Sequence, residues 1–209
     1  RIRHLLPEGT PKCMTDINGM PFIDILVNNL RKAGLAPIIF ATEYGHEKLY
    51  RHITNGGITA YSWLLFSKED RPLGTAGAVA NANHLVESPS FFVFNGDTYC
   101  DINYGAMLAY HEVINSTITV ACDSKFRHVG TFIASKRFIE LIPKVDGKVD
   151  MADVFTLLSQ RHEPVSWFMT DAPFYDIGSP EGLKNFRDYQ TRLPKGGEGR
   201  MIGRHEKSL

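Results

Sequence analysis

Helix-like and strand-like segments alternate along most of the chain. Between residues 22 and 33 apolar side chains recur every three or four positions, which predicts an amphipathic helix, and Gly34 stands where a helix C-cap belongs. Residues 37–42 follow as a predicted strand. Further helices are predicted at residues 46–54, 76–85, 105–113, 138–142, 150–161 and 180–189, and further strands at residues 58–66, 90–94, 116–121 and 129–134. This alternation predicts one α/β domain, a Rossmann-like three-layer αβα sandwich whose mixed sheet is mostly parallel.

The strand predicted at residues 90–94 leads into the first candidate for chemistry. Residues 91–94 are apolar without alternation, which is typical of a strand that is buried on both faces of a parallel sheet. The run ends at Asn95 and Gly96, followed by Asp97. Because ligands of such sheets bind outside the carboxyl ends of the strands, Asp97 is predicted to lie at the functional edge. The alternative is that these three polar residues form only a turn.

Composition narrows the class of protein. The 209 residues suffice for one domain, expected over residues 1–193, followed by a polar tail at 194–209. Lys plus Arg and Asp plus Glu number 23 each, so no net charge draws the protein to nucleic acid or to an anionic membrane. The three cysteines are widely spaced, which argues against a disulfide framework and a structural zinc site. No stretch reaches the ~20 apolar residues of a membrane span. We therefore expect a cytoplasmic protein.

Gly74-Thr75-Ala76-Gly77 opens the predicted helix at 76–85. Glycines there let a flat or anionic ligand approach the backbone amides of a helix N-terminus. The alternative is that the small residues allow tight packing between the helix and a strand. The pattern is not GxGxxG, so it does not support a dinucleotide fingerprint.

Two more charged residues stand in suitable settings. Lys12 follows Pro11 in a stiff loop, where its ammonium could meet a phosphate as a point charge, although a lone lysine is more often on the surface. Asp176 follows an aromatic run and precedes the helix predicted at 180–189. Alternatively, Ser179 caps that helix and Asp176 interacts with its dipole.

Five segments of the sequence, in the order in which they occur along the chain, resemble motifs of the sugar-1-phosphate nucleotidyltransferase family, whose members make nucleotide sugars. They are Thr10-Pro11-Lys12-Cys13-Met14, Gly19-Met20-Pro21-Phe22, Pro72-Leu73-Gly74-Thr75-Ala76-Gly77-Ala78, Asn95-Gly96-Asp97 and Asp176-Ile177-Gly178-Ser179-Pro180. Residues 93–98, followed by Asp101-Ile102, are most similar to the bacterial heptose 1-phosphate guanylyltransferases.

The resemblance implies a reaction and a set of roles. A nucleoside triphosphate, with GTP favoured, would react with a heptose or mannose-like 1-phosphate to give a nucleotide sugar for lipopolysaccharide or capsule. Asp97 and Asp176 would hold Mg²⁺, and Lys12 would contact phosphate. The other implied contacts are to the nucleotide, from Arg1, Gly74, Thr75, Asn95 and Gly96, and to the sugar, from Gly130 and Thr131.

Departures from the family pattern leave alternatives open. The family's opening strand and its Gly-Gly-x-Gly-Thr-Arg loop are not in this sequence, and the step from Phe126 to Arg127 is abrupt, as if a segment were missing there. Cys13 stands where a second proline is usual, and His128-Val129 replaces Asn-Ala. A nucleotide-sugar-binding regulatory subunit and a glycosyltransferase of related fold are therefore alternatives. Apolar elements after Asp150 could also form the interface of a homo-oligomer.

Overall fold

The computed structural model describes residues 2–55 and 63–193. The helices in these residues are α1 Phe22–Lys32, α2 His46–Asn55, α3 Gly74–Asn81, α4 Tyr104–Ile114, α5 Lys136–Leu141, α6 Met151–Gln160 and α7 Pro180–Arg192. The strands are β1 Asp16–Ile17, β2 Met20–Pro21, β3 Ile38–Thr42, β4 Leu64–Lys68, β5 Ser90–Phe94, β6 Thr98–Cys100, β7 Ile118–Cys122, β8 His128–Ser135, β9 Val165–Met169 and β10 Phe174–Asp176. Every predicted helix is present. Residues 58–62 of one predicted strand, and the tail at 194–209, lie outside the described residues.

Local sequence explains where the helices begin and end. Helix α1 buries one side, and Gly34 beyond its end adopts φ +76°, the left-handed conformation that favours glycine. Pro180 opens α7, and the Ser179 hydroxyl accepts a hydrogen bond from the Gly182 amide, which confirms Ser179 as the cap. None of the helices within 2–55 and 63–193 combines the length and the apolar character needed to cross a bilayer.

The sheet is mixed, as predicted, but less parallel than expected. Its four-stranded part has the order β5-β8-β7-β9, in which only β7 and β9 run parallel. Strands β3 and β4 form a separate parallel pair, whereas β1 with β2 and β6 with β10 form antiparallel ribbons. Part of the reason is the short turn between β7 and β8, because consecutive strands joined by a turn can only run antiparallel.

Helices cover both faces of the sheet, which confirms the three-layer prediction. On β8, Val129 and Ile133 face one apolar cluster and Phe132 and Ala134 face the other. The first cluster is completed by α1, α2, α4 and α7, and the second by α3, α5 and α6. Two separate cores therefore hold the central strands from opposite sides.

Strand β5 corrects one expectation. Phe92 and Phe94 pack against the first cluster and Phe91 and Val93 against the second, so both faces are covered as predicted. However, all five residues of β5 are only half-buried. In the described part of the chain β5 pairs with β8 alone, so it is an edge strand of the four-stranded sheet. Asp97 lies three residues beyond its end.

Candidate active site

Lys12 and Asp97 form an ion pair at the carboxyl end of β5. The Lys12 ammonium lies 3.1 Å from Asp97 Oδ2, and the two side chains are 29% and 30% exposed. The turn that carries Asp97 is held by Asn95, whose amide donates to the Gly130 carbonyl at 2.8 Å. Lys12 begins a short 3₁₀ turn, and its carbonyl accepts hydrogen bonds from the amide and hydroxyl of Thr15. The predicted phosphate-binding lysine is therefore fixed beside the predicted catalytic acid.

The ribbon of β6 and β10 brings Asp176 to the same place. Asp176 pairs in register with Thr98, and the Ile177 amide donates to the Asp97 carbonyl at 2.9 Å. Asp176 Oδ1 accepts a hydrogen bond from the Gly178 amide at 2.7 Å. Thus Asp176 fixes its own turn, while Ser179 alone provides the helix cap.

Gly178 lies where the three charged groups converge. A Cβ atom at this position would be 2.8 Å from Asp176 Oδ1, 3.4 Å from Asp97 Oδ2 and 3.5 Å from Lys12 Nζ. Residues from three distant parts of the sequence therefore face one small space that a side chain would fill. This convergence is the main finding at the site.

The residues present fit a magnesium ion that shares its coordination with substrate. In residues 2–55 and 63–193 no group of three or more His, Cys, Asp and Glu side chains could hold a metal. Mg²⁺ commonly binds through one or two carboxylates and completes its octahedron with waters and phosphate oxygens. Asp97 and Asp176, with space beside Gly178, supply that donor set.

Gly74 and Thr75 begin α3, and Gly74 lies in close contact with the segment before α6. Gly74 has φ +76°, and a Cβ atom there would lie 2.7 Å from the Val149 carbonyl oxygen. That same oxygen accepts hydrogen bonds from the amides of Ala76 and Gly77 at 3.1 and 3.2 Å. These two amides of the α3 N-terminus are therefore used within the protein and are not free for a ligand. Gly74 thus has a packing role against the segment before α6, where a strand was expected, and the contacts of Gly74 and Thr75 with a nucleotide stay a prediction.

A cavity of about 350 Å³ lies beside the end of β5, and we call it the aromatic cavity. It is lined by Thr75, Asn95, Val120, Phe126, His128, Phe132, Met151, Phe155 and Trp167. Phe126 and Trp167 meet edge to face with ring centroids 6.4 Å apart, and they are 66% and 44% exposed. Of this lining, the sequence pointed to Thr75 and Asn95 but not to the aromatic residues, because its pattern does not separate an exposed aromatic that lines a cavity from one that packs in a core.

The remaining predicted residues are placed as follows. Gly130 and Thr131 are buried within β8, and a Cβ atom at Gly130 would lie 2.5 Å from Thr98 Cγ2. Gly130 thus has a packing role, and its contact with a sugar stays a prediction. Gly96 has no atom within 4 Å of a would-be Cβ, so the space beside it is open. Arg1 lies outside the described residues.

Asp123 organises the turn at the point where a segment was expected to be missing. Its carboxylate accepts hydrogen bonds from the amides of Lys125 and Arg127 and from the Arg127 guanidinium. These hydrogen bonds, above all the one from the Arg127 amide, lower the pKa of Asp123. The turn places Phe126 at φ +56°, an unusual conformation for a large side chain, at the rim of the aromatic cavity.

Cys13 is not a nucleophile at this site. Burial raises the pKa of its thiol to about 12, and the charge of Asp97 acts in the same direction. The thiol is therefore protonated at neutral pH, and the chemistry of the site rests on the charged groups.

Comparison with known proteins agrees with this geometry. The profile of the family described as Nucleotidyl transferase matches residues 1–131. The chain is 30% identical over 222 aligned positions to the D-glycero-alpha-D-manno-heptose 1-phosphate guanylyltransferase of Aneurinibacillus thermoaerophilus, with 92% of this chain and 93% of that protein covered. Since 222 exceeds the 209 residues of this chain, the relative contains segments that this chain lacks.

Further matches extend to solved structures. The mannose-1-phosphate guanyltransferase beta-B of Xenopus laevis is 33% identical over 109 residues, which are 51% of this chain and 30% of that protein. The crystal structure of HddC from Yersinia pseudotuberculosis superposes with a TM-score of 0.75 at 27% identity, covering 88% of this chain and 92% of that one. The same protein has also been solved in complex with GMP-PN. Sequence and fold together show that this chain belongs to the nucleotidyl transferase family.

Proposed function

We propose that the protein transfers a guanylyl group from GTP to a heptose or mannose-like 1-phosphate and releases pyrophosphate. The observation that carries this proposal is the convergence of Lys12, Asp97 and Asp176 on the space beside Gly178. Similarity to heptose and mannose 1-phosphate guanylyltransferases supports the choice of base and sugar.

The reaction needs positioning and charge neutralisation more than a covalent intermediate. An oxygen of the sugar phosphate attacks the α-phosphorus of GTP, a new P–O bond forms, and the bond to the leaving pyrophosphate breaks. The attacking oxygen is already an anion, so no general base is required. Lys12 places a positive charge on the phosphates and holds them for in-line attack.

Asp97 and Asp176 would hold Mg²⁺ through their carboxylate oxygens. When bound, this ion supplies neutralisation of the negative charge that develops on the phosphate oxygens. The backbone bond between Ile177 and Asp97 keeps the two acids at a fixed separation. Preorganised acids lose little energy to reorganisation when substrates bind.

The aromatic cavity is the proposed position of the sugar. It lies next to Asn95, on the same turn as Asp97. Its walls offer aromatic faces from Phe155 and Trp167 and a polar group from His128. Such a mixture suits a sugar ring, which has an apolar face and hydroxyl groups at its edge.

The product would serve synthesis of a surface polysaccharide such as lipopolysaccharide or capsule, in the cytoplasm. Cys13, Cys100 and Cys122 are free thiols, which is the usual state in a reducing compartment. A homo-oligomer is also proposed, since Met169 on the edge strand β9 is 46% exposed and lies outside the cavity lining. Cell fractionation and light scattering test these two statements.

The test of function is pyrophosphate release by the purified protein with Mg²⁺. GTP, UTP, dTTP, CTP and ATP are each combined with a panel of sugar 1-phosphates that includes heptose and mannose. We expect release that requires both substrates and is fastest with GTP. If folded protein that still binds a nucleotide sugar releases no pyrophosphate with any pair of substrates, the proposed enzyme activity is wrong and the regulatory-subunit alternative is favoured.

A further inference from the structure

We propose that Gly178 is a positioning residue that keeps open one cation position between Asp97 and Asp176. The Lys12 ammonium, which is ion-paired with Asp97 beside this position, keeps a positive charge there until a divalent cation enters. The inference rests on the proposed function, because it concerns the metal that this function requires. It assigns a role to a residue that contacts no substrate and carries no side chain.

Space, and not backbone conformation, requires glycine at position 178. Gly74 and Gly130 have positive φ angles, whereas Gly178 does not. The backbone at 178 therefore does not need the left-handed conformation that favours glycine, but the Cβ of an alanine would lie 2.8 Å from Asp176 Oδ1, closer than real Cβ atoms approach. The carboxylate is the free end of a side chain, so it would turn away and leave the fold intact.

The backbone cannot retreat from the two acids. The Gly178 carbonyl accepts a hydrogen bond from the Ile2 amide at 3.1 Å, and Ile2 is completely buried. On the following residue, Ser179 caps α7. With both sides fixed, an added methyl group must displace Asp176 and break its 2.7 Å hydrogen bond with the Gly178 amide.

Lys12 is suited to supply a temporary positive charge beside this cation position. Its ammonium contacts Asp97 Oδ2 at 3.1 Å and lies 3.5 Å from the same Cβ point at Gly178. The ammonium is a point charge on a flexible stem, so it can move while the backbone at Lys12 stays anchored by Thr15.

Charge balance favours an exchange. Two carboxylates and one ammonium leave a single negative charge, whereas two carboxylates without the ammonium match a divalent cation. An ammonium released from Asp97 is then available for a phosphate oxygen of the nucleotide. Metal entry and nucleotide binding should therefore strengthen each other.

Two variants should change metal affinity in opposite directions. Gly178→Ala fills the space and misplaces Asp176, so it should weaken Mn²⁺ binding about tenfold or more. Lys12→Met removes the competing charge, so it should tighten Mn²⁺ binding about tenfold in the absence of nucleotide. It should also reduce the tightening of Mn²⁺ that nucleotide produces in the wild type, because the part that comes from release of the ammonium is lost while coordination by the phosphates remains.

The experiment measures bound Mn²⁺ by electron paramagnetic resonance, with and without a non-hydrolysable GTP analogue. Matched controls are Gly147→Ala, where nothing lies within 4 Å of a would-be Cβ and φ is not positive, and Lys184→Met, an exposed lysine on α7. Both should bind Mn²⁺ as the wild type does. Circular dichroism checks that every variant is folded.

The outcomes separate this inference from the proposed function. If the wild type binds no Mn²⁺ even with the analogue, or if Asp97→Asn binds it equally well, the proposed metal site is wrong. If the wild type binds Mn²⁺ and Asp97→Asn does not, the metal site stands. In that case equal affinity in Gly178→Ala and Gly147→Ala, or unchanged or weaker affinity in Lys12→Met, overturns the inference alone.

Discussion

The amide of Ile177 donates a hydrogen bond to the carbonyl of Asp97 at 2.9 Å. This bond joins the turn after β5 to the turn before α7, and Ile177 is completely buried beneath it. The separation of Asp97 and Asp176 is therefore set by backbone and core, and not by their own side chains. A site of this kind should lose function on small changes to the acids without losing its fold.

Asp97→Asn tests whether the Asp97 carboxylate is needed for turnover. The amide keeps the shape of the side chain but removes the negative charge that pairs with Lys12 and that we propose as a metal ligand. We expect steady-state pyrophosphate release to fall about a hundredfold or more, while binding of sugar phosphate survives in part. Asp146→Asn, in an exposed ion pair with Arg71, is the control and should keep full turnover. Near-normal turnover in Asp97→Asn would remove this acid from the mechanism.

Gly130→Ala tests the close approach of β6 and β8. The new methyl group would meet Thr98 and would occupy a residue whose φ is +83°. Strain and overpacking together should lower the free energy of unfolding by roughly 2–4 kcal/mol. Urea denaturation measures the loss, and Gly147→Ala should show almost none. A stability equal to that of the wild type would mean that the strands separate easily at this point.

His111 should make stability depend on pH. Its buried ring contacts Thr119 Oγ1 at 2.7 Å and Ser90 Oγ at 3.3 Å. Burial lowers the pKa of His111, and only the charge of Glu112 opposes this. As pH falls through about 6.5, His111 is protonated in the unfolded chain while it stays neutral in the folded protein. The unfolded state then binds more protons, so the free energy of unfolding falls as the solution becomes acidic.

The measurement is urea denaturation of the wild type and His111→Gln between pH 7.5 and pH 5.5. Because a single group titrates, the free energy of unfolding should change with pH by at most about 1.4 kcal/mol per pH unit. The glutamine variant cannot titrate, so the difference in free energy between the two proteins should shrink towards acidic pH. A difference that stays constant over this range would show that His111 is not the responsible group.

Trp167→Leu tests the aromatic cavity as the sugar site. Loss of the exposed ring should raise the KM for sugar 1-phosphate about tenfold and leave the KM for GTP unchanged. Met169→Leu changes another exposed side chain of the same strand, outside the cavity lining, and is the control.

A second readout uses fluorescence. The chain has two tryptophans, so Trp63→Phe leaves Trp167 as the single reporter. Sugar 1-phosphate should change its emission in the presence of GTP analogue. An effect of Trp167→Leu on the KM for GTP alone, with no fluorescence change, would place the sugar elsewhere.

The sequence predicted the long elements well because their periodicity is strong. Helix α1 shows its apolar stripe and its terminal glycine, and Asp97 follows a run of apolar residues that is typical of a buried strand. The ribbon of β6 and β10 was not predicted, since each strand has three residues and gives no period. Yet this ribbon brings Asp176 next to Asp97. For that reason only the family resemblance predicted that the two acids would lie together.

Other features could not be predicted from the sequence, because they depend on contacts between distant segments. The role of Gly74 depends on the carbonyl of Val149, and the role of Gly178 depends on two carboxylates and an ammonium from distant segments. The sequence shows a glycine in each case but not the atom that excludes a side chain. The half-exposed state of β5 likewise depends on which strands pair with it.

Identification of the reaction product tests the proposed guanylyl transfer. GTP, Mg²⁺ and D-glycero-α-D-manno-heptose 1-phosphate are incubated with the protein and analysed by mass spectrometry, with mannose 1-phosphate in parallel. We expect a GDP-sugar and pyrophosphate in equal amounts, formed by the wild type and not by Asp97→Asn. Folded wild-type protein that binds GTP but forms no nucleotide sugar from either substrate would contradict the proposal.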